Sequence, residues 1–167
     1  MHPPDARLST SEGHFRHADF MALALREAQM CEASGDVPVG ALIVLDGRVI
    51  AASGNTRERL HDPTGHAEMN VLRMAGQTLG RWRLNGCTMY VTLEPCPMCA
   101  AALVAARISL LVFGASDPKA GAAGSRFNLV ENPHLNHRVE VLAGVREADC
   151  EAQLKNFFRA KGKNNTC

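Results

Sequence analysis

A chain of 167 residues with 46% hydrophobic and 21% charged side chains and a formal net charge of +1 has the length of one domain and the composition of a globule. This excludes wholesale disorder and a fibrous class. The longest uninterrupted apolar run, Met98 to Ala106, stops at Arg107, far short of the roughly 20 residues a bilayer span needs, so no membrane partner is expected.

The first twenty residues carry His2, Asp5, Arg7, Glu12, Arg16 and Asp19 and no apolar h-region. No secretory signal is predicted, and a cytoplasmic location is expected. Residues 1–16 match no pattern and read as a flexible extension, with His2, His14 and His17 in a disordered arm rather than in a ligand set. From His17 to Ser34 the apolar positions Phe20, Leu23, Ala24, Ala28 and Cys31 recur at helical spacing, which predicts a helix ended near Gly35. Gly40–Leu45 and Arg48–Ala52 read as strands of a hairpin turned at Asp46-Gly47. After a polar, turn-rich stretch from Gly54 to Pro63, a second helix is predicted to begin near Asp62-Pro63-Thr64 and to carry Val71, Leu72 and Met74 into the core. Thr88–Thr92 and Leu110–Phe113 read as strands separated by a helix from Pro97 to Arg107, an order that implies parallel pairing. A Gly-rich loop, Ala120 to Ser125, precedes a last strand over Val139–Leu142 and a last helix over Glu147–Arg159. The sum is a three-layer α/β/α domain on a mixed sheet of about five strands.

Charge is divided unevenly. Residues 1–36 hold three arginines against six acids, whereas the C-terminal stretch holds Lys155, Arg159, Lys161 and Lys163 with no acid after Glu151. This argues against a wholly basic nucleic-acid-coating protein and permits one phosphate-contacting element. The six cysteines read as reduced thiols, since a chain of this size makes its own core.

Two segments carry the chemistry, His66-Ala67-Glu68 and Pro95-Cys96-Pro97-Met98-Cys99. With Cys96 as N-cap and Pro97 at the first helical position, both sulfurs lie at one helix end, where the dipole and free N–H groups favour the zinc-binding thiolate. Cys96, Cys99 and His66 make three ligands, which leaves a fourth tetrahedral position for water and balances the charge of Zn²⁺. Glu68 would face away from His66 within a helix interior. At a helix start both side chains lean back past the end, and Glu68 is then free to act as general acid/base. Taken alone, Cys-x-x-Cys also fits a redox pair, a structural zinc or two buried thiols. In combination, His-x-Glu followed by Pro-Cys-x-x-Cys is the signature of the zinc nucleoside and nucleobase deaminases.

The chain from about residue 17 to about residue 161 resembles the bacterial tRNA-specific adenosine deaminases of the cytidine-deaminase-like superfamily. The matching stretches beyond the zinc segments are Asp36-Val37-Pro38-Val39-Gly40-Ala41, Asn55, His61-Asp62-Pro63-Thr64, Tyr90-Val91-Thr92-Leu93-Glu94, Val112-Phe113-Gly114-Ala115, Lys119 to Ser125, Asn136 to Glu140, and Phe157-Phe158-Arg159. The resemblance implies one deaminase domain over 17–161, a flexible tail at 162–167, one zinc per chain, a homodimer, and conversion of the wobble adenosine of an arginine tRNA to inosine. It further implies that Asn55 hydrogen-bonds the flipped adenine, that Asp117 contacts the adjoining backbone, and that Phe158 and Arg159 approach the anticodon stem-loop. Backbone groups near Ala67 and before Cys96 would hold the base, and DNA is not an expected partner. One Phe of the pair 157–158 is expected to anchor the helix while the other meets RNA. Gly65, where the family often has Ala, would loosen the following helix by less than about 1 kcal/mol. Two alternatives differ from this reading: a guanine or cytosine deaminase of free bases, and a non-catalytic zinc module closed by a fourth ligand such as His61 or Cys87.

Overall fold

The computed structural model describes residues 16–164; the expectations for His2, His14, Cys167 and most of the N-terminal extension fall outside them. The described elements are α1 (His17–Glu32), β1 (Gly40–Leu45), β2 (Arg48–Gly54), α2 (Arg57–Leu60), α3 (Ala67–Leu79), β3 (Thr88–Leu93), α4 (Pro97–Ala105), β4 (Leu110–Ala115), β5 (Glu140–Ala143) and α5 (Glu147–Asn164). The sheet order is β2-β1-β3-β4-β5. β1 is antiparallel to both its neighbours, whereas β3, β4 and β5 run parallel.

Alternation along the central strands builds two apolar layers. Ala41, Ile43, Met89, Val91, Leu111 and Phe113 point to the side covered by Ala67, Val71 and Ala75 of α3 and Ala100, Leu103 and Val104 of α4. Leu42, Val44, Tyr90 and Val112 point the other way, against Phe20, Met21 and Ala24 of α1 and Cys150 of α5. The result is the expected three-layer α/β/α mixed sheet. The hairpin turn has Asp46 and Gly47 both at positive φ, 50° and 72°, the pair that matches strand twist. At Gly40 an added Cβ would overlap the Ala24 carbonyl, so α1 lies directly on the β1 backbone. None of the described helices is long and apolar enough to cross a membrane.

Five expectations are corrected. α3 begins at Ala67 rather than near Pro63, because the Asp62 carboxylate accepts the Thr64 N–H and hydroxyl, each at 2.8 Å, in a tight turn. Residues 57–60 ahead of that turn form a short helix of their own. Met74 lies on the outer side of α3, 40% exposed, while Ala67, Val71 and Ala75 at spacing four make its inner face. His17 is the first residue of α1, its Nδ1 2.8 Å from the Tyr90 hydroxyl, rather than part of a disordered arm. Gly65 precedes the cap residue His66, so helix propensity does not act on it. Its carbonyl accepts the Thr56 N–H at 2.8 Å and ties the turn down. α5 continues beyond Arg159 to Asn164 and includes the first residues of the expected tail.

Candidate active site

The site forms where two helices start. β3 leads through Glu94-Pro95 into α4, whose N-cap is Cys96 and whose first residue is Pro97, while α3 has His66 as its N-cap. The two caps thus place an imidazole and a thiol at neighbouring helix starts. His66 Nδ1 lies 3.6 Å from Cys96 Sγ and 3.5 Å from Cys99 Sγ. The three donor atoms lie within 4.8 Å of one another, the one such group of three or more among the described residues. Two sulfurs and an imidazole nitrogen fit zinc, which favours that mixed set and a tetrahedral shell. Neither of the residues considered for a fourth, closing ligand joins the group. Cys87 is fully buried just ahead of β3, and His61 is exposed in a left-handed conformation at the end of α2.

The protonation states follow from this geometry. The Cys96 thiol is pulled down to about 4, first by the hydrogen bond that the Cys99 thiol donates to it and also by His66, against the cost of burial. The same hydrogen bond, with burial and the nearby Glu68 charge, pushes Cys99 far up. His66 is raised, chiefly by its hydrogen bond to Cys96. One thiolate thus holds two neighbouring protons in place, and a bound cation replaces them.

Glu68, the second residue of α3, is 4% exposed. Burial pushes its carboxyl up to about 7, against the smaller pull of its own backbone N–H and of His66. It also pairs with the Cys99 thiol but is not in the ligand group. A carboxyl poised near neutrality beside a metal site suits proton transfer in both directions.

Asn55 stands at the end of β2 with both ends of its amide used. Its Oδ1 accepts the Ala67 N–H at 2.9 Å, and Nδ2 donates to the Val37 carbonyl at 3.0 Å. The Ala67 N–H is therefore not free to hold a base, and Asn55 caps α3 from a distant strand; one amide proton remains for a ligand. Asp36 does the same for α2: its buried carboxylate accepts the Glu58 N–H at 2.9 Å and the Arg59 N–H at 3.4 Å.

Asp117 lies in the loop after β4, on the same end of the sheet as Cys96. Its Oδ1 accepts the N–H groups of Lys119 and Ala120 at 3.0 and 3.2 Å, and its own N–H donates to Glu94. Phe158 and Arg159 stand apart from this group on α5. Phe157 is 5% exposed and Phe158 55%, packed edge-on with centroids 5.3 Å apart, so one ring anchors and the other faces solvent. Lys155 pairs with Glu151 at 3.8 Å, and the Lys161 ammonium sits 4.9 Å from the Phe157 ring centroid. No motif in the sequence points to the roles of Asp36 and Glu94. Both sit beside turn residues, but apart from the Ser125 hydroxyl on Glu94 their partners are backbone N–H groups, which carry no residue-type signal.

Residues 15–115 match the family model described as the cytidine and deoxycytidylate deaminase zinc-binding region. The chain is 48% identical over 140 residues to a tRNA-specific adenosine deaminase of Bacillus subtilis, covering 84% of this chain and 87% of that one. It is 50% identical over 142 residues to one of Agrobacterium fabrum, covering 85% and 93%. A solved structure from work on A-to-I editing by tRNA deaminases at the wobble position superposes with a TM-score of 0.79 at 50% identity, covering 81% of this chain and 98% of that one.

Proposed function

The chain belongs to the zinc-binding cytidine and deoxycytidylate deaminase family, in its tRNA-specific adenosine deaminase branch, and on that premise we propose that it hydrolyses the wobble adenosine of an arginine tRNA to inosine, releasing ammonia. The observation that carries the reading is a wholly buried Glu68 beside a three-ligand His66–Cys96–Cys99 group. Three ligands leave room for water, and a carboxyl outside the ligand set is left to move protons.

His66, Cys96 and Cys99 would hold one zinc ion, which supplies Lewis acidity and a water ionisable near neutral pH. Glu68 takes the proton of the attacking water and delivers it to N1 of the adenine ring as the new bond to C6 forms. A second proton passed by Glu68 to the exocyclic nitrogen lets the C6–N bond break, so that water and adenine give a C6 carbonyl and ammonia. Asn55 offers its spare amide proton to the base from a position fixed by its two other hydrogen bonds. Asp117 faces the adjoining backbone, while Phe158 and Arg159 meet the anticodon loop from α5.

The active unit is a homodimer in the cytoplasm. The outer side of α4 presents Ala101 and Ala105 to solvent beside a groove of about 380 Å³ lined also by Arg107, His134 and Leu135, an apolar helix face suited to a second copy. The free-base alternative shares the zinc and Glu68 chemistry but gives the basic, aromatic α5 no task.

The test pairs two variants. Glu68→Ala is expected to keep its zinc and lose about 100-fold or more in turnover, whereas Cys96→Ala loses the zinc. Near-normal turnover in the first removes Glu68 from the chemistry, and full zinc occupancy in the second refutes the ligand set.

A further inference from the structure

We propose that Glu94 is a positioning residue for deamination: its buried carboxylate holds the 117–125 loop, and with it Asp117, in register with the zinc-ligand helix. This rests on the reading that Asp117 meets the nucleotide. Glu94 is 2% exposed and lies two residues before Cys96. It is not in the ligand group, and no described cation forms an ion pair with it. A carboxylate so placed survives only if hydrogen bonds replace its water.

Those bonds all come from one loop. Oε1 accepts the N–H groups of Ala123 and Ser125, both at 3.0 Å, and Oε2 accepts the Asp117 N–H at 3.0 Å together with the Ser125 hydroxyl. Next to it the Ala122 N–H donates to the Pro95 carbonyl at 2.8 Å. The loop is thus fastened to the two residues that introduce Cys96. Gly121 completes the contact, since a Cβ there would run into the Glu94 carboxylate and the Asp117 carbonyl. The backbone of Gly121 is not at positive φ, so it is space at the carboxylate that requires glycine here.

The atom assignment makes the Gln variant informative. In Glu94→Gln the amide NH₂ can replace Oε1, where it meets two N–H groups, or Oε2, where it meets one N–H and a hydroxyl that can turn to accept. The second arrangement is favoured, and the bond it loses is the one to Asp117.

The experiment uses the full-length, zinc-loaded protein. Zinc content, amide hydrogen exchange and kinetics on an anticodon stem-loop are compared for wild type, Glu94→Gln, Gly121→Ala and Asp117→Ala. Glu94→Gln is expected to keep one zinc and its sheet protection, to exchange about tenfold faster over 117–125, and to raise KM about tenfold with kcat little changed, the scale of one lost charge-assisted bond. Gly121→Ala changes no charge and is expected to do the same. Unchanged exchange over 117–125, loss of zinc, or a fall in kcat at constant KM overturns the proposal. An unchanged KM in Asp117→Ala refutes the nucleotide contact at Asp117. Failure of the wild type to deaminate the stem-loop refutes the tRNA reading, while the exchange comparison still decides whether Glu94 holds the loop.

Discussion

Asn55→Ala removes two hydrogen bonds that no neighbouring group replaces. The Ala67 N–H at the first position of α3 loses its acceptor, and the Val37 carbonyl loses its donor. Loss of a helix cap costs about 1 kcal/mol, and stranding the second partner in a buried setting adds about 1–2 kcal/mol. A total of about 2–3 kcal/mol corresponds to a Tm lowered by about 5–10 °C for a domain of this size. Asn55→Asp is the discriminating partner variant. It keeps the acceptor for Ala67 and places a negative charge at the α3 N-terminus, which is favourable, but sets an acceptor against the Val37 carbonyl. Urea unfolding of the zinc-loaded proteins, followed by circular dichroism, is expected to rank wild type above Asn55→Asp and Asn55→Asp above Asn55→Ala. An Asn55→Ala protein within about 0.5 kcal/mol of wild type, or an Asp variant no better than the Ala variant, refutes the capping argument.

Three further predictions address other parts of the molecule. Tyr90, the only tyrosine in the chain, has its hydroxyl pushed up to about 12 by burial. Its neutral form is favoured by folding, so its contribution is complete below the unfolded pKa of about 10 and is lost as pH rises through the folded value. Tyrosinate absorbance should therefore show a midpoint near the folded value; a midpoint near 10 with circular dichroism intact contradicts this. Replacing Lys155, Arg159, Lys161 and Lys163 with Ala should spare zinc and fold, weaken stem-loop binding far more than nucleoside binding, and flatten the salt slope by up to about 0.7 per lost phosphate contact. Equal loss on both substrates detaches the helix from RNA recognition. Sedimentation at micromolar concentration should give twice the 18.0 kDa chain mass, and a monomer excludes the dimer.

Elements whose signal is local were legible in the sequence. Periodicity places α1, an apolar, β-branched run places β1 and its continuation past the turn places β2, Asp46-Gly47 names the hairpin, and the strand–helix–strand order gives the β3–β4 parallel pair. The metal group is legible because its ligands sit at two helix starts, one of them marked by Pro97. The start of α3 is hidden because the acceptor for its first N–H is the Asn55 side chain, twelve positions upstream of Ala67, so no neighbouring residue announces it. Met74 is large and apolar yet lies outside, because the alanines at spacing four are what allow α3 to lie close to the sheet. Glu94 stands out in the sequence only as part of a matching stretch, because all its partners but the Ser125 hydroxyl are main-chain amides, which carry no residue-type signal.

The parallel half of the sheet and its long connection from residue 116 to residue 139 divide the molecule's tasks. The ligands and Glu68 sit at the starts of α3 and α4, whereas the connection runs from Asp117, at the same end of the sheet, through outer parts, around Arg126–Asn128 and Asn132–Asn136, that are largely exposed. Between those parts, Leu129 and Val130 return to the domain through Ala122 and Val139. Neither exposed stretch supplies a member of the ligand group or a partner of Glu94, and His134 to Asn136 line the groove beside Ala101 and Ala105 of α4. Such an architecture lets the outer connection change in length and sequence with the metal geometry held constant, and it marks the Arg126–Asn128 stretch, outside the α4 groove, as the place where insertions are best tolerated.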